Sequence, residues 1–163
     1  RGTIYMPTYD VAERSAVVTG AGSGIGREVA LLLARNGAHV VAQDINADAA
    51  AAVVAEIQEA GGIAVAVVGD AGDAAVIDEY IRTAQSLAPF GIAINNAGIT
   101  GTVGPTGAYS DADWDKVIAL DLTTVFRGLR AQVGQSSIWH RCLASSVRLA
   151  PPHTPRQSTR WSA

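Results

Sequence analysis

Thr19-Gly20-Ala21-Gly22-Ser23-Gly24-Ile25-Gly26, the glycine-rich run at residues 19–26, decides the fold. Before it, SAVVT at residues 15–19 is a short apolar run with strand character. After it, residues 24–36 carry Val29, Leu32 and Leu33 at the spacing of one helical face, and Gly37 is placed to end that helix. In such a strand–loop–helix setting Gly20 permits a tight turn, and Gly22 and Gly24 let backbone approach a pyrophosphate. Gly26 lets the helix pack closely. The helix start then offers unpaired N–H groups and a positive dipole end to an anion. The run is read as a dinucleotide-binding turn, against the plainer possibility of an ordinary strand–helix loop.

The pattern continues outward as strands alternating with helices. Strands are expected at 39–44 (HVVAQD), 63–68 (IAVAVV) and 91–95 (GIAIN). Helices are expected at 47–60, 73–87 and 111–133, with Asp73 as a helix start and Asp111 as an N-cap. This alternation predicts βαβ units with right-handed crossovers. The fold class is α/β, a parallel sheet with helices between its strands. Residues 1–134 are the partial dinucleotide-binding domain, and 135–163 an atypical basic tail.

The chain has 163 residues, 48% of them hydrophobic, with a net charge of −3. That suffices for one domain with a sizeable core, and gives no reason to expect nucleic acid or an anionic membrane as partner. Cys142 is the only cysteine, so there is neither a disulfide framework nor a cysteine-based metal site. No apolar run approaches membrane-helix length, and residues 1–10 lack a signal-peptide core. A cytoplasmic location is the expectation.

Asp44 ends the second strand, twenty residues after Gly24. A carboxylate there accepts hydrogen bonds from an adenosine ribose and repels a 2′-phosphate. The plainer role is an N-cap for the helix from residue 47. No arginine follows closely, so NAD is expected over NADP.

TGAGSGIG at residues 19–26 resembles the TGxxxGxG signature of the short-chain dehydrogenase/reductase family. Three further matches follow in order. Gly69-Asp70 closes the third strand, where that family keeps an Asp near the adenine. Asn95-Asn96-Ala97-Gly98 is similar to its NNAG. WDKVIALDLTTVF at 114–126 is similar to its W-D-x-V-x-x-x-N-L-x-x-x-F. The resemblance covers about residues 12–134. It implies a Rossmann-like, doubly wound parallel sheet with helices on both faces and strand order 3-2-1-4-5-6-7, incomplete here at its C-terminal half, and reversible hydride transfer between a nicotinamide and a small-molecule alcohol or carbonyl. The cofactor-binding residues expected on this basis are Gly20, Gly22, Ser23, Gly24, Ile25, Gly26, Asp44, Asp70, Ala71, Asn96, Ala97 and Gly98. Asp70 has a plainer role as a cap for the third helix, and Asn95 and Asn96 as partners of loop backbone. Asp121 stands where the family has Asn in a proton relay, and is the one catalytic candidate. An ionised Asp accepts hydrogen bonds but cannot donate them, so the substitution puts the relay in doubt. The resemblance also implies a homo-oligomer, because the helix at 111–133 builds a dimer interface in that family.

The family's Ser, Tyr-x-x-x-Lys constellation has no counterpart here. Lys116 is the only lysine, and no tyrosine follows Tyr109. Ser145 and Ser146 are weak stand-ins for the Ser. From Gln135 onward the chain has four arginines and no acid, and holds two of the three tryptophans. A frameshift near Gln135 accounts for this better than a natural extension does. Read from the third base of each codon, His153-Thr154 permits Tyr and the following codons permit A-A-A-K. A Ser codon is permitted across His140-Arg141, thirteen codons earlier. If residues 136–147 fail to pair as a fifth strand, the fourth becomes an open edge prone to self-association. Two readings follow: an NAD-dependent oxidoreductase impaired in this chain, or a catalytically silent nucleotide-binding or interaction protein.

Overall fold

The computed structural model describes residues 11–133. Strand β1, Ser15–Thr19, is buried along its whole length. A continuous apolar run of this kind suits the centre of a parallel sheet covered on both faces. β1 is flanked by β2 (His39–Asp44) and β4 (Phe90–Ile94), and β3 (Ala64–Val68) lies outside β2, giving the order β3-β2-β1-β4. All three pairings are parallel, with Val17 facing Val41 on one side and Ala93 on the other.

Alternation along the strands sends successive side chains to opposite faces. Val18, Val40 and Ala42 join Ala30 and Leu31 of α1 (Gly24–Arg35) and Val53 and Ile57 of α2 (Ala47–Glu59) in one buried cluster. Val17, Val41 and Val67 join Ile77, Tyr80, Ile81 and Ala84 of α3 (Ala74–Leu87) in the other. The sheet is therefore doubly wound, as the resemblance implies. Gly37, at φ 85°, follows α1 and turns the chain into β2.

Some local expectations need correcting. Of the face expected for α1, Val29 and Leu33 pack half-buried against the core cluster, whereas Leu32 is 58% exposed; the fully buried positions are Gly26, Ala30 and Leu31. Gly26 and Ala30 let α1 lie close to the sheet. Asp111 is not an N-cap. Ser110 takes that place, accepting from the Asp113 N–H at 3.1 Å, and Asp111 is the first helical residue. The segment expected as one long helix divides into α4 (Asp111–Val117), a π-helical stretch (Ile118–Thr123) and α5 (Thr124–Val133). The Thr124 hydroxyl donates to the Ala119 carbonyl, five residues back, at 3.1 Å. This bond fits the wider turn there.

Among the described residues β4 is an outer strand, and from Gly91 to Ile94 it is only half-buried. The tail, its frame, and its strand and extended segments lie outside the described residues, as do residues 1–10. No helix among the described residues is long and apolar enough to cross a membrane.

Candidate functional site

The glycine loop leaves the C-terminal end of β1 and folds against the end of β2. The Ala21 N–H donates to the Gln43 carbonyl at 2.9 Å, and the Gly22 N–H to Asp44 Oδ2 at 2.8 Å. Asp44 Oδ1 accepts from the Asn46 N–H at 2.9 Å. Asp44 thus braces the loop and does not cap α2. That role falls to Asn46, whose Oδ1 accepts from the Ala49 N–H at 3.1 Å. A Cβ at Gly22 would lie 2.7 Å from Ala49 Cβ, and one at Gly26 would lie 2.1 Å from the Gly20 carbonyl oxygen. The loop is compact because these positions carry no side chain.

The start of α1 differs from the other helix starts. Ser23 occupies its N-cap position but makes no side-chain cap bond, and no acid lies in the first turn. By contrast Asn46, Asp73 and Ser110 cap α2, α3 and α4 with their own side chains. The α1 start therefore keeps its N–H groups and its positive dipole end for an external acceptor. Ser23, Gly24 and Ile25 are exposed there, and no atom lies within 4 Å of where a Gly24 Cβ would stand. A phosphate-bearing cofactor fits this cradle, because the donors are backbone groups and the space above them is open.

The opposite wall comes from the end of β4. Thr19 Oγ1 accepts from the Asn96 N–H at 3.0 Å and the Ala97 N–H at 3.1 Å, and donates to the Ile94 carbonyl at 3.4 Å. Asn96 Nδ2 donates to the carbonyls of Thr19 at 3.1 Å and Gly20 at 3.3 Å. These bonds latch the two loops together at the crevice where the winding of the sheet reverses direction, the usual ligand position in open α/β sheets. Asn96 therefore does satisfy loop backbone, and in doing so it builds the crevice.

The end of β3 adjoins through Gly69, whose N–H donates to the Asp44 carbonyl at 3.0 Å. Asp70 does not cap α3; Asp73 does. Asp70 Oδ1 accepts from the Gly72 N–H at 2.7 Å and its carbonyl from the Asp73 N–H at 3.0 Å, closing a tight turn around buried Ala71. Asp121 lies in the π-helical stretch, exposed, with Oδ1 accepting from the Ile99 N–H at 2.9 Å. It meets the far end of the Asn96-Ala97-Gly98 segment. Lys116 points elsewhere, 3.6 Å from Asp113 Oδ1.

Three polar residues beside the site were not singled out in the sequence. Thr19 is the latch, and its signal was available: it is the one hydroxyl ending an otherwise apolar strand. Gln43 is buried beneath the β3 turn. Gln132 is buried on α5 and exchanges hydrogen bonds with the Asn95 amide at 3.2 and 3.3 Å. Gln132 also bonds the Tyr80 hydroxyl. Burial pushes Tyr80 up to about 12, the Gln132 bond opposing and the Asp78 charge adding to the rise. Helix periodicity cannot announce this cluster, because a glutamine on α5 reads as surface.

The model of a family described as short chain dehydrogenase matches residues 14–136. A cyclohexanol dehydrogenase of Acinetobacter sp. (strain SE19) is 43% identical over 121 residues, which cover 72% of this chain and 47% of that protein. A hydroxyacyl-CoA dehydrogenase of Mycobacterium tuberculosis is 46% identical over 120 residues, covering 71% and 38%. The crystal structure of a hydroxysteroid dehydrogenase from Escherichia coli superposes with a TM-score of 0.70 at 36% identity, covering 77% of this chain and 53% of that one. The chain spans about half the length or less of the curated relatives it matches.

Proposed function

The chain belongs to the short-chain dehydrogenase family, and from that premise we propose that its described residues hold the adenosine and pyrophosphate of NAD for an alcohol–carbonyl oxidoreductase. The observation that carries this reading is the α1 start, open at its N–H groups where the neighbouring helices are capped. On this reading the N–H groups of Ser23, Gly24, Ile25 and Gly26 bind the phosphates, and Gly22, whose own N–H is given to Asp44, lets the pyrophosphate approach the loop. Asp44, already oriented by Gly22 and Asn46, accepts from the ribose hydroxyls and repels a 2′-phosphate. Asp70 and Ala71 receive the adenine, and the Asn96-Ala97-Gly98 backbone closes the far side. Asp121 positions that segment through Ile99. When bound, the nicotinamide supplies or accepts the hydride.

Substrate is assigned only as an alcohol or carbonyl compound, the class that the names of the relatives share. The proton-transfer pair Tyr-x-x-x-Lys does not occur in these 163 residues, and Lys116 sits exposed beside Asp113. We therefore expect binding without turnover. The same observation favours the second reading, a silent nucleotide-binding protein. Self-association is also proposed: Trp114, Leu122 and Phe126 on α4, the π-helical stretch and α5 are each more than half exposed, a large apolar surface for a monomer.

Calorimetric titration with NAD, alongside 340 nm absorbance with a panel of alcohols, tests the proposal. Saturable NAD binding with flat absorbance is expected. No binding overturns the cofactor assignment, and turnover overturns the impairment.

A further inference from the structure

We infer that Gln43 is a positioning residue for the adenine end of the site, an inference that rests on the NAD reading above. Gln43 follows Val41 onto the face of β2 covered by α3, among apolar side chains, and is 1% exposed. Its Nε2 donates to the Gly69 carbonyl at 2.6 Å, while its Oε1 finds no partner among the described residues. An unpartnered buried acceptor weakens the fold, and an aliphatic side chain of similar size would not carry that penalty. What the glutamine provides in return is its bond to Gly69.

Gly69 is the hinge into the Asp70–Ala71 turn. It sits at φ 151°, and a Cβ there would lie 2.5 Å from Val76 Cγ2. The turn is tied by the Gly69 N–H to the Asp44 carbonyl, by its own Asp70–Gly72 and Asp70–Asp73 bonds, and by Arg127 Nη1 to the Gly72 carbonyl at 3.0 Å. These ties keep the turn folded without Gln43. What Gln43 adds is a fixed direction for the Gly69–Asp70 peptide, and hence for the Asp70 carboxylate. One carboxylate oxygen is engaged by Gly72, which leaves Oδ2 of this exposed residue to accept from the adenine 6-amino group. Gln43 thus sets how strictly the site demands adenine.

The probes are NAD and nicotinamide hypoxanthine dinucleotide, in which an oxygen replaces the 6-amino group. The wild-type chain should prefer NAD by about tenfold, the effect of one hydrogen bond to a charged acceptor. Gln43→Met and Gln43→Leu should lower that preference to within about threefold, with Tm falling by no more than the few degrees that one lost hydrogen bond costs. A merely structural role would weaken both dinucleotides alike and keep the ratio. An unchanged ratio, no preference in the wild-type chain, or failure of both variants to fold each overturns the inference. The first two leave the NAD site standing, whereas absence of NAD binding to the wild-type chain removes both.

Discussion

Gly26→Ala and Gly24→Ala separate the two reasons a glycine can be needed in the same loop. At Gly26 the added Cβ would lie 2.1 Å from the Gly20 carbonyl oxygen and 2.6 Å from Asn96 Nδ2. The first contact is more than an ångström too close, and it is with backbone, so the loop or the helix must move. Overpacking costs up to about 3 kcal/mol, and the helix preference of alanine returns about 1 kcal/mol, for a net loss of about 2 kcal/mol. At Gly24 the Cβ meets nothing, and the penalty is only the left-handed backbone at φ 52°, about 1 kcal/mol. For a chain of this length about 3 °C of Tm corresponds to 1 kcal/mol, so losses of about 6 and 3 °C are expected. Circular-dichroism melts without cofactor read this directly. If Gly26→Ala melts no lower than Gly24→Ala, close packing of α1 on the loop is not what Gly26 provides.

Thr19→Val keeps the shape of the side chain but orphans the Asn96 and Ala97 N–H groups, at about 2 kcal/mol in all. Hydrogen exchange should quicken at those two amides, and unchanged protection there would refute the latch. Asp44→Ser removes the charge facing the ribose, so NAD affinity should drop about tenfold while NADP gains relative to it; a variant that keeps its NAD preference refutes the assignment. Tyr80 ionises in the folded protein near 12, above the ordinary tyrosine value of about 10. Its stabilising contribution is therefore complete below pH 10 and is lost as the pH rises from 10 towards 12. Absorbance titration near 295 nm should show one late tyrosine, absent in Tyr80→Phe.

The alternation of elements was legible because each carries a strong local signal. β1 is apolar between Ser15 and Thr19, and Asp73 and the glycines after α1 and α2 punctuate the chain. The glycine loop was legible for the same reason, since its glycines answer to local backbone geometry. What escaped were features set by partners distant in sequence. Gly26 and Ala30 lie on the inner face of α1 because the sheet approaches closely there. Asp44 braces Gly22, a contact between two loops that spacing alone does not reveal. The π-helical stretch depends on Thr124 and on what packs around it, whereas the sequence reads as an unbroken helix. Gln43 and Gln132 are polar residues in apolar surroundings, and periodicity assigns such residues to the surface.

The Thr19–Asn96 latch also has a place in time. β1 meets β2 across a short βαβ crossover, whereas Thr19 and Asn96 are 77 residues apart. Loop closure over the longer span costs about 1 kcal/mol more in chain entropy, and contacts of greater sequence separation form later. The β1–β2–β3 half therefore has the easier route to order, and β4 and the latch, which span the same separation, join it later. Mutations in the latch should then speed unfolding and leave the folding rate nearly unchanged. The site is the last part of the sheet to assemble and the first to open.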